Sequence, residues 1–127
     1  MEVGVAGADF SFDLSHEGGT LIKMSRMNSI LDIGADTVTV QAGAIAIDVA
    51  HELQKHGMQF YVNTEIGSLS VGSASCAGTK DASMPGEYGQ VGSYITRIKM
   101  VLPSGELLEA SDDQPNTASY QPRRRSP

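Results

Sequence analysis

The chain has 127 residues, enough for one domain, and 40% of them are hydrophobic. Fifteen acidic residues outnumber nine basic ones, and three of the basic residues lie together at 123–125. The rest of the chain has no basic stripe, which argues against nucleic-acid binding. No apolar run approaches the ~18 residues of a membrane span, and the first residues, MEVGVAGADFSF, do not resemble a secretory signal. We therefore expect a cytoplasmic protein without a transmembrane segment.

The first half of the chain has the residue pattern of β-strands. TLIKM, at 20–24, is a short strand candidate. SILDI and TVTVQ flank the turn sequence GAD, which predicts a hairpin over residues 29–41. In its second strand Val38 and Val40 alternate with polar residues, which is typical of a half-buried strand.

The hydrophobic period then changes to that of a helix in AIAIDVAHELQKHG, at 44–57. Ile45, Val49 and Leu53 recur every four residues and predict one apolar helical face. Gly57 stands where a helix commonly ends with a left-handed glycine. This is the one main helix that the sequence predicts.

Three further strands are predicted in the second half. MQFYV, at 58–62, is a short apolar strand, and YITRIKMVL, at 94–102, has the composition of a buried strand. PSGE forms a tight turn that leads into the return strand LLEAS, at 107–111. The fold class is therefore α+β, with a mixed or antiparallel sheet. Residues 112–127 contain three prolines and no periodicity, and we predict them to be disordered.

A segment of small residues, EIGSLSVGSASCAGTKD at 65–81, lies within a 30-residue stretch, 64–93, that contains six glycines. Such a stretch is either a linker or structural loop, or a wall on which a flat ligand lies. Small residues let a backbone approach a ligand closely, and their N–H groups can hold an anion. A dinucleotide would use both properties, although the common phosphate-loop patterns GxGxxG and GxxxxGK[ST] are absent.

Four runs in this order resemble a known family: LIKMSRMNSIL, TVTVQAGAIAIDVAHELQKHGM, IGSLSVGSASCAGTKD and YITRIKMVLPSGEL. They are similar to FAD-linked oxidases of the vanillyl-alcohol-oxidase type, and look most like the sugar-lactone and alditol oxidases. The resemblance covers residues 20–111 and implies the second half of a PCMH-type FAD-binding domain. It implies FAD as cofactor and oxidation of a CH–OH group in a lactone or alditol.

The resemblance also implies where the cofactor would lie. The wall around the pyrophosphate and flavin would comprise Ser70, Val71, Gly72, Ser73, Ala77, Gly78 and Thr79. Thr64 and Ser68 would lie at its entry, and Ile95 and Ile98 on the strand beside the adenine. These contacts would be mainly with main-chain atoms. No catalytic residue is assigned, because the family's substrate-contacting residues lie mostly in a separate domain.

The chain departs from the family near its N-terminus, where residues 1–19 look like a degenerate remnant of the first pyrophosphate loop. Asp9 falls where several members carry a histidine bonded to the flavin, which implies that FAD is held non-covalently. The family's upstream unit and substrate domain have no counterpart in this sequence, so we expect a fragment, incomplete at the N-terminus. An alternative is a truncated, non-catalytic half-domain that acts as an interaction module, with self-association through an exposed sheet edge.

Other side chains have both a functional and a structural interpretation. Cys76 is either a nucleophile activated by His51 or His56 or, as we expect, a small buried thiol. As the only cysteine it forms no internal disulfide. Lys80 either supports a flavin anion or phosphate or is a solvated loop residue. The histidines are too scattered for a metal site, so we predict no bound metal.

Overall fold

The computed structural model describes residues 3–6, 18–64, 66–76, 78–79 and 86–111. It contains six strands, two α-helices and two 3₁₀ turns in this part of the chain. The elements in chain order are β1 (Val3–Ala6), β2 (Thr20–Lys23), β3 (Ile30–Ile33), β4 (Val38–Val40), α1 (Ala46–Lys55), α2 (Val71–Cys76), the 3₁₀ turns Gly86–Gly89 and Val91–Tyr94, β5 (Arg97–Val101) and β6 (Leu107–Ser111). No helix among the described residues is long and apolar enough to cross a membrane.

The strands form three two-stranded sheets, one parallel and two antiparallel. β1 pairs in parallel with β2, while β3 with β4 and β5 with β6 form antiparallel hairpins. The turn of the second hairpin uses Gly105 at a φ of 85°, and its N–H donates to the Leu102 carbonyl oxygen at 2.8 Å. Both predicted hairpins and the α+β class are confirmed.

Helix α1 begins and ends where the sequence predicts. At its C-terminus Gly57 adopts a φ of 70°, and the Met58 N–H donates to the Leu53 carbonyl oxygen at 2.9 Å. This is the glycine-ended cap that satisfies the last carbonyl groups of a helix. The apolar face of α1 provides Val49 and Leu53, which form the buried core together with Ala44.

Two of the predicted strands are wrong in part. Residues 58–62 form no strand, although their side chains alternate: Phe60 packs against the core and Val62 is buried, while Tyr61 is exposed. The segment 94–102 does not form a buried strand, because β5 alternates between exposed and half-buried residues and Val101 is 68% exposed. The exposed face of β5 also carries cations, and the Arg97 guanidinium lies 3.4 Å from the carboxylate of Glu109 on β6.

Two glycines allow three chain segments to touch. The Gly43 N–H donates to the Met27 carbonyl oxygen at 2.8 Å, and the Gly72 N–H donates to the Ala42 carbonyl oxygen at 2.8 Å. A Cβ added to Gly43 would overlap the Met24 carbonyl, and one added to Gly72 would lie 2.8 Å from the Ala42 oxygen. The loop before β3, the start of α1 and the start of α2 are therefore in direct backbone contact.

We predict that Gly43→Ala lowers the free energy of unfolding by at least about 2 kcal/mol, because backbone atoms must move to admit the methyl group. Gly34→Ala is the matched control, since its Cβ would meet only Thr37, with the nearest atom at 3.2 Å. Urea denaturation followed by circular dichroism measures both. Equal, small effects of the two substitutions would contradict this account of the contact.

Candidate cofactor-binding site

The predicted cofactor wall is partly helical, because residues 71–76 form α2 within the predicted loop. The N–H groups of its first turn are already used by the protein. The Val71 N–H donates to the Ala44 carbonyl oxygen at 2.7 Å, and the Gly72 N–H to Ala42 as described above. The Ser73 N–H donates to the Ser70 Oγ at 3.3 Å. These three donors are therefore not free to hold a phosphate.

Ser70 holds the start of α2 in place. Its residue surface is only 2% exposed, and its Oγ lies 3.0 Å from the Ser73 Oγ. A serine oxygen that accepts from the third N–H of a helix is an N-terminal cap. The preceding backbone also pairs with α1, since the Ala46 N–H donates to the Leu69 carbonyl oxygen at 2.9 Å. The hydroxyl of Ser70 is thus occupied by the fold.

The other end of the predicted wall is less crowded among the described residues. Gly78 adopts a φ of 64°, and no described atom lies within 4 Å of the position that its Cβ would take. The Thr79 carbonyl oxygen accepts a 3.1 Å hydrogen bond from the Val91 N–H, which ties this end to the second 3₁₀ turn. Ala77 and Lys80, also discussed from the sequence, lie outside the described residues.

A cavity of about 730 Å³ lies beside the wall, bounded by α1, β4, residues 58–64, α2 and residues 91–97. Three predicted residues line it: Thr64, Val71 and Ile95. The other described members of the predicted set are not part of its lining: Ser68, Ser70, Gly72, Ser73, Gly78, Thr79 and Ile98. Most of the described residues of the predicted wall therefore do not line this cavity.

The strand beside the adenine was predicted to carry both isoleucines, but the structure places only one on it. Ile98 is on β5, whereas Ile95 follows the second 3₁₀ turn and precedes the strand. Thr64 uses its hydroxyl locally, since its Oγ1 donates to the Ile66 carbonyl oxygen at 3.0 Å.

Sequence reasoning missed a contact between two tyrosines that line the cavity. The rings of Tyr61 and Tyr94 are 5.0 Å apart between centroids and are tilted by 41°. The Tyr94 hydroxyl donates to the Tyr88 carbonyl oxygen at 2.8 Å. Loss of water around the Tyr94 hydroxyl, and secondly the nearness of Tyr61 and Tyr88, raise its pKa above the usual value. The sequence feature that could have pointed to this contact is that three of the chain's four tyrosines flank the small-residue segment.

The alternative site at Cys76 looks different from the sequence prediction. Cys76 is exposed, so the prediction of a buried thiol is wrong. His56, which directly follows α1, has its Nε2 3.8 Å from the carboxylate of Glu52 on the helix. A hydrogen bond from Lys55, and then its charge, lower the pKa of Glu52.

No cluster of three or more metal-binding side chains occurs among the described residues. Asp9 and the rest of the first loop, at 7–17, lie outside them.

Comparison with known proteins identifies the family. Residues 3–111 match the family described as FAD binding domain. The chain belongs to this family. An L-gulonolactone oxidase from Mus musculus is 26% identical over 110 residues, which cover 85% of this chain and 24% of that protein. An FAD-linked oxidoreductase, pgmH, from Aspergillus terreus is 33% identical, covering 79% of this chain and 20% of the other.

A solved structure of a mutant cholesterol oxidase from Brevibacterium sterolicum shares the fold. It superposes with a TM-score of 0.71 at 24% identity and covers 89% of this chain and 25% of that one. The predicted resemblance to FAD-linked oxidases is therefore confirmed. The chain spans about a quarter or less of the length of these relatives.

We predict that Ser70→Ala lowers the free energy of unfolding by about 1 kcal/mol, because the first turn of α2 loses its cap. The exposed Ser68, two residues earlier, provides the matched control as Ser68→Ala. Chemical denaturation of both variants checks the difference. A loss at Ser68 as large as that at Ser70 would show that capping is not the cause.

Proposed function

We propose that the chain is the second half of the FAD-binding domain of a flavin-dependent oxidoreductase that acts on a CH–OH group of a sugar-lactone or alditol substrate. The family match over residues 3–111 is the observation that carries the proposal. The substrate class is suggested by the names of relatives such as the mouse and cattle L-gulonolactone oxidases. Contact with substrate would need a further domain.

The residues present fit a dinucleotide whose phosphates lie near the end of α2 rather than at its start. No described atom lies within 4 Å of a Cβ placed on Gly78, while the Val71 and Gly72 N–H groups already bond within the fold. Of the predicted residues, Gly78 and Thr79 would contact FAD most directly. The others would contact it through main-chain atoms that do not already bond within the fold. FAD, when bound, supplies a flavin that accepts hydride, and the protein supplies its position.

We further propose that FAD is held without a covalent bond, because the family resemblance puts Asp9 where several members carry the bonded histidine. Acid precipitation of the flavin-loaded chain separates the two modes. Release of all flavin into the supernatant supports non-covalent binding, and yellow precipitated protein would contradict it.

A second candidate function is a non-catalytic half-domain that acts by binding another chain or a second copy. All four residues of β2 are exposed, although parallel strands are usually covered on both faces. Leu31, in β3, is 62% exposed as well. The outer edges of β5 and β6 pair with no other described strand and offer a route to self-association. In this interpretation residues 20–111 are the folded unit; residues 112–127, which the sequence predicts to be disordered, lie outside the described residues.

Titration of the purified 127-residue chain with FAD tests the main proposal. We expect saturable quenching of flavin fluorescence and a raised melting temperature, because a ligand that binds only the folded state stabilises it. A folded chain that shows neither effect would contradict cofactor binding and favour the non-catalytic interpretation. Light scattering in the same samples reports self-association.

We also predict that Gly78→Asn weakens FAD binding by about tenfold, or ~1.4 kcal/mol, because the new side chain would enter space that the bound cofactor fills. Asparagine tolerates the left-handed backbone better than other side chains. Gly105→Asn is the matched control, since Gly105 also has a positive φ of 85° and open space at its Cβ position. If both variants bind FAD like the unmodified chain, Gly78 is not part of the wall.

A further inference from the structure

Part of the cavity wall is apolar, as binding of a flat ring requires. Leu53, Val62 and Ala74 line it and are themselves buried, and the half-buried Phe60 adds an aromatic surface. Its volume of about 730 Å³ is within the range of small-molecule sites, roughly 300–1,000 Å³.

Two tyrosine rings line the cavity, and one of them presents most of its surface to solvent. Tyr61 is 73% exposed although it packs against Tyr94 at a centroid distance of 5.0 Å. Tyr94 is fixed in turn by its 2.8 Å hydrogen bond to the Tyr88 carbonyl oxygen. A ring that is already held in place loses little entropy when another ring stacks on it.

Polar side chains accompany these rings in the lining. Asn63 and Thr96 both line the cavity and are exposed. An amide and a hydroxyl can each donate and accept hydrogen bonds, which suits the nitrogen and oxygen atoms on the edge of a heterocycle. A pure hydrocarbon ligand would offer these two groups no hydrogen-bond partner.

From these features we propose that the cavity binds a planar aromatic heterocycle, stacked on the Tyr61–Tyr94 pair. The inference rests on the proposed function, because the ring would come from the bound dinucleotide, either its flavin or its adenine. It goes beyond that function by assigning a ring site to residues 60–64 and 94–96, most of which the predicted wall did not include.

The full chain is titrated separately with lumiflavin, which is the flavin ring with a methyl group in place of the ribityl chain, with adenosine monophosphate, and with FAD. Saturable binding of lumiflavin assigns the cavity to the flavin ring, and binding of the nucleotide assigns it to adenine. FAD binding without binding of either ring compound would overturn the inference while leaving the proposed function intact. A folded chain that binds none of the three overturns both.

The variants Tyr61→Ala, Tyr61→Phe and Tyr88→Ala locate the ring site. Tyr61→Ala should weaken binding of the ring compound by about tenfold, in line with measured losses of stacking, whereas Tyr61→Phe should keep it. Tyr88→Ala is the matched control, because Tyr88 is also an exposed tyrosine but does not line the cavity. Equal effects of Tyr61→Ala and Tyr88→Ala, or no effect of either, would place the ring elsewhere.

A cavity-filling variant tests the same inference without removing an aromatic ring. Ala50, half-buried on α1, lines the cavity, so Ala50→Phe would occupy part of its volume. Binding of the ring compound should fall by about tenfold or more, as expected when a bulky side chain enters occupied space, while circular dichroism shows a folded chain. Unchanged binding by the folded Ala50→Phe variant would contradict the inference, and the Tyr61 series decides the matter if that variant does not fold.

Discussion

The rest of the structure depends on the close backbone contact at Gly43 and Gly72. Two hydrogen bonds of 2.8 Å join the Gly43 N–H to Met27 and the Gly72 N–H to Ala42. Neither contact has room for a side chain at the glycine. Because the first turns of α1 and α2 start from this contact, the small core around Val49 and Leu53 and the cavity beside it are positioned by the same backbone atoms.

Because of this contact, the small-residue segment at 65–81 has two parts with different roles. Its first part, through Ser70 and Gly72, is small because it packs on another backbone and caps a helix. Its second part, at Gly78, has no described atom within 4 Å of the position that a Cβ would take. Composition alone cannot separate the two roles, since glycine and serine serve close packing and ligand approach equally well. The chain belongs to the FAD binding domain family, and we propose FAD as the ligand of this second part.

The sequence predicted those parts of the fold that depend on local pattern. The two hairpins and α1 follow from alternation, from a four-residue period and from the turn glycines Gly57 and Gly105. It did not predict α2, because glycine and serine are poor helix formers. That helix depends on the Ser70 cap and on the carbonyl groups of residues 42 and 44, which are distant in sequence. The stretch 58–62 had the right alternation but no partner strand among the described residues.

The candidate site was predictable in its ligand but only partly in its geometry. The order of short motifs led to FAD, whereas the Tyr61–Tyr94 contact joins residues 33 positions apart and leaves no local pattern. The exposure of Cys76 was equally hidden, since a six-residue helix with one buried residue, Ala74, leaves its last position at the surface.

The most direct test of the central claim is a two-dimensional ¹⁵N–¹H NMR spectrum of the chain, recorded with and without FAD. The account predicts that the Gly78 and Thr79 amide signals move on addition of FAD. The Val71 and Gly72 amides, already bonded within the fold, should exchange slowly with solvent in both states. Fast exchange at Val71 and Gly72, with no shift at Gly78 or Thr79, would contradict the division of the segment into a packing half and a binding half.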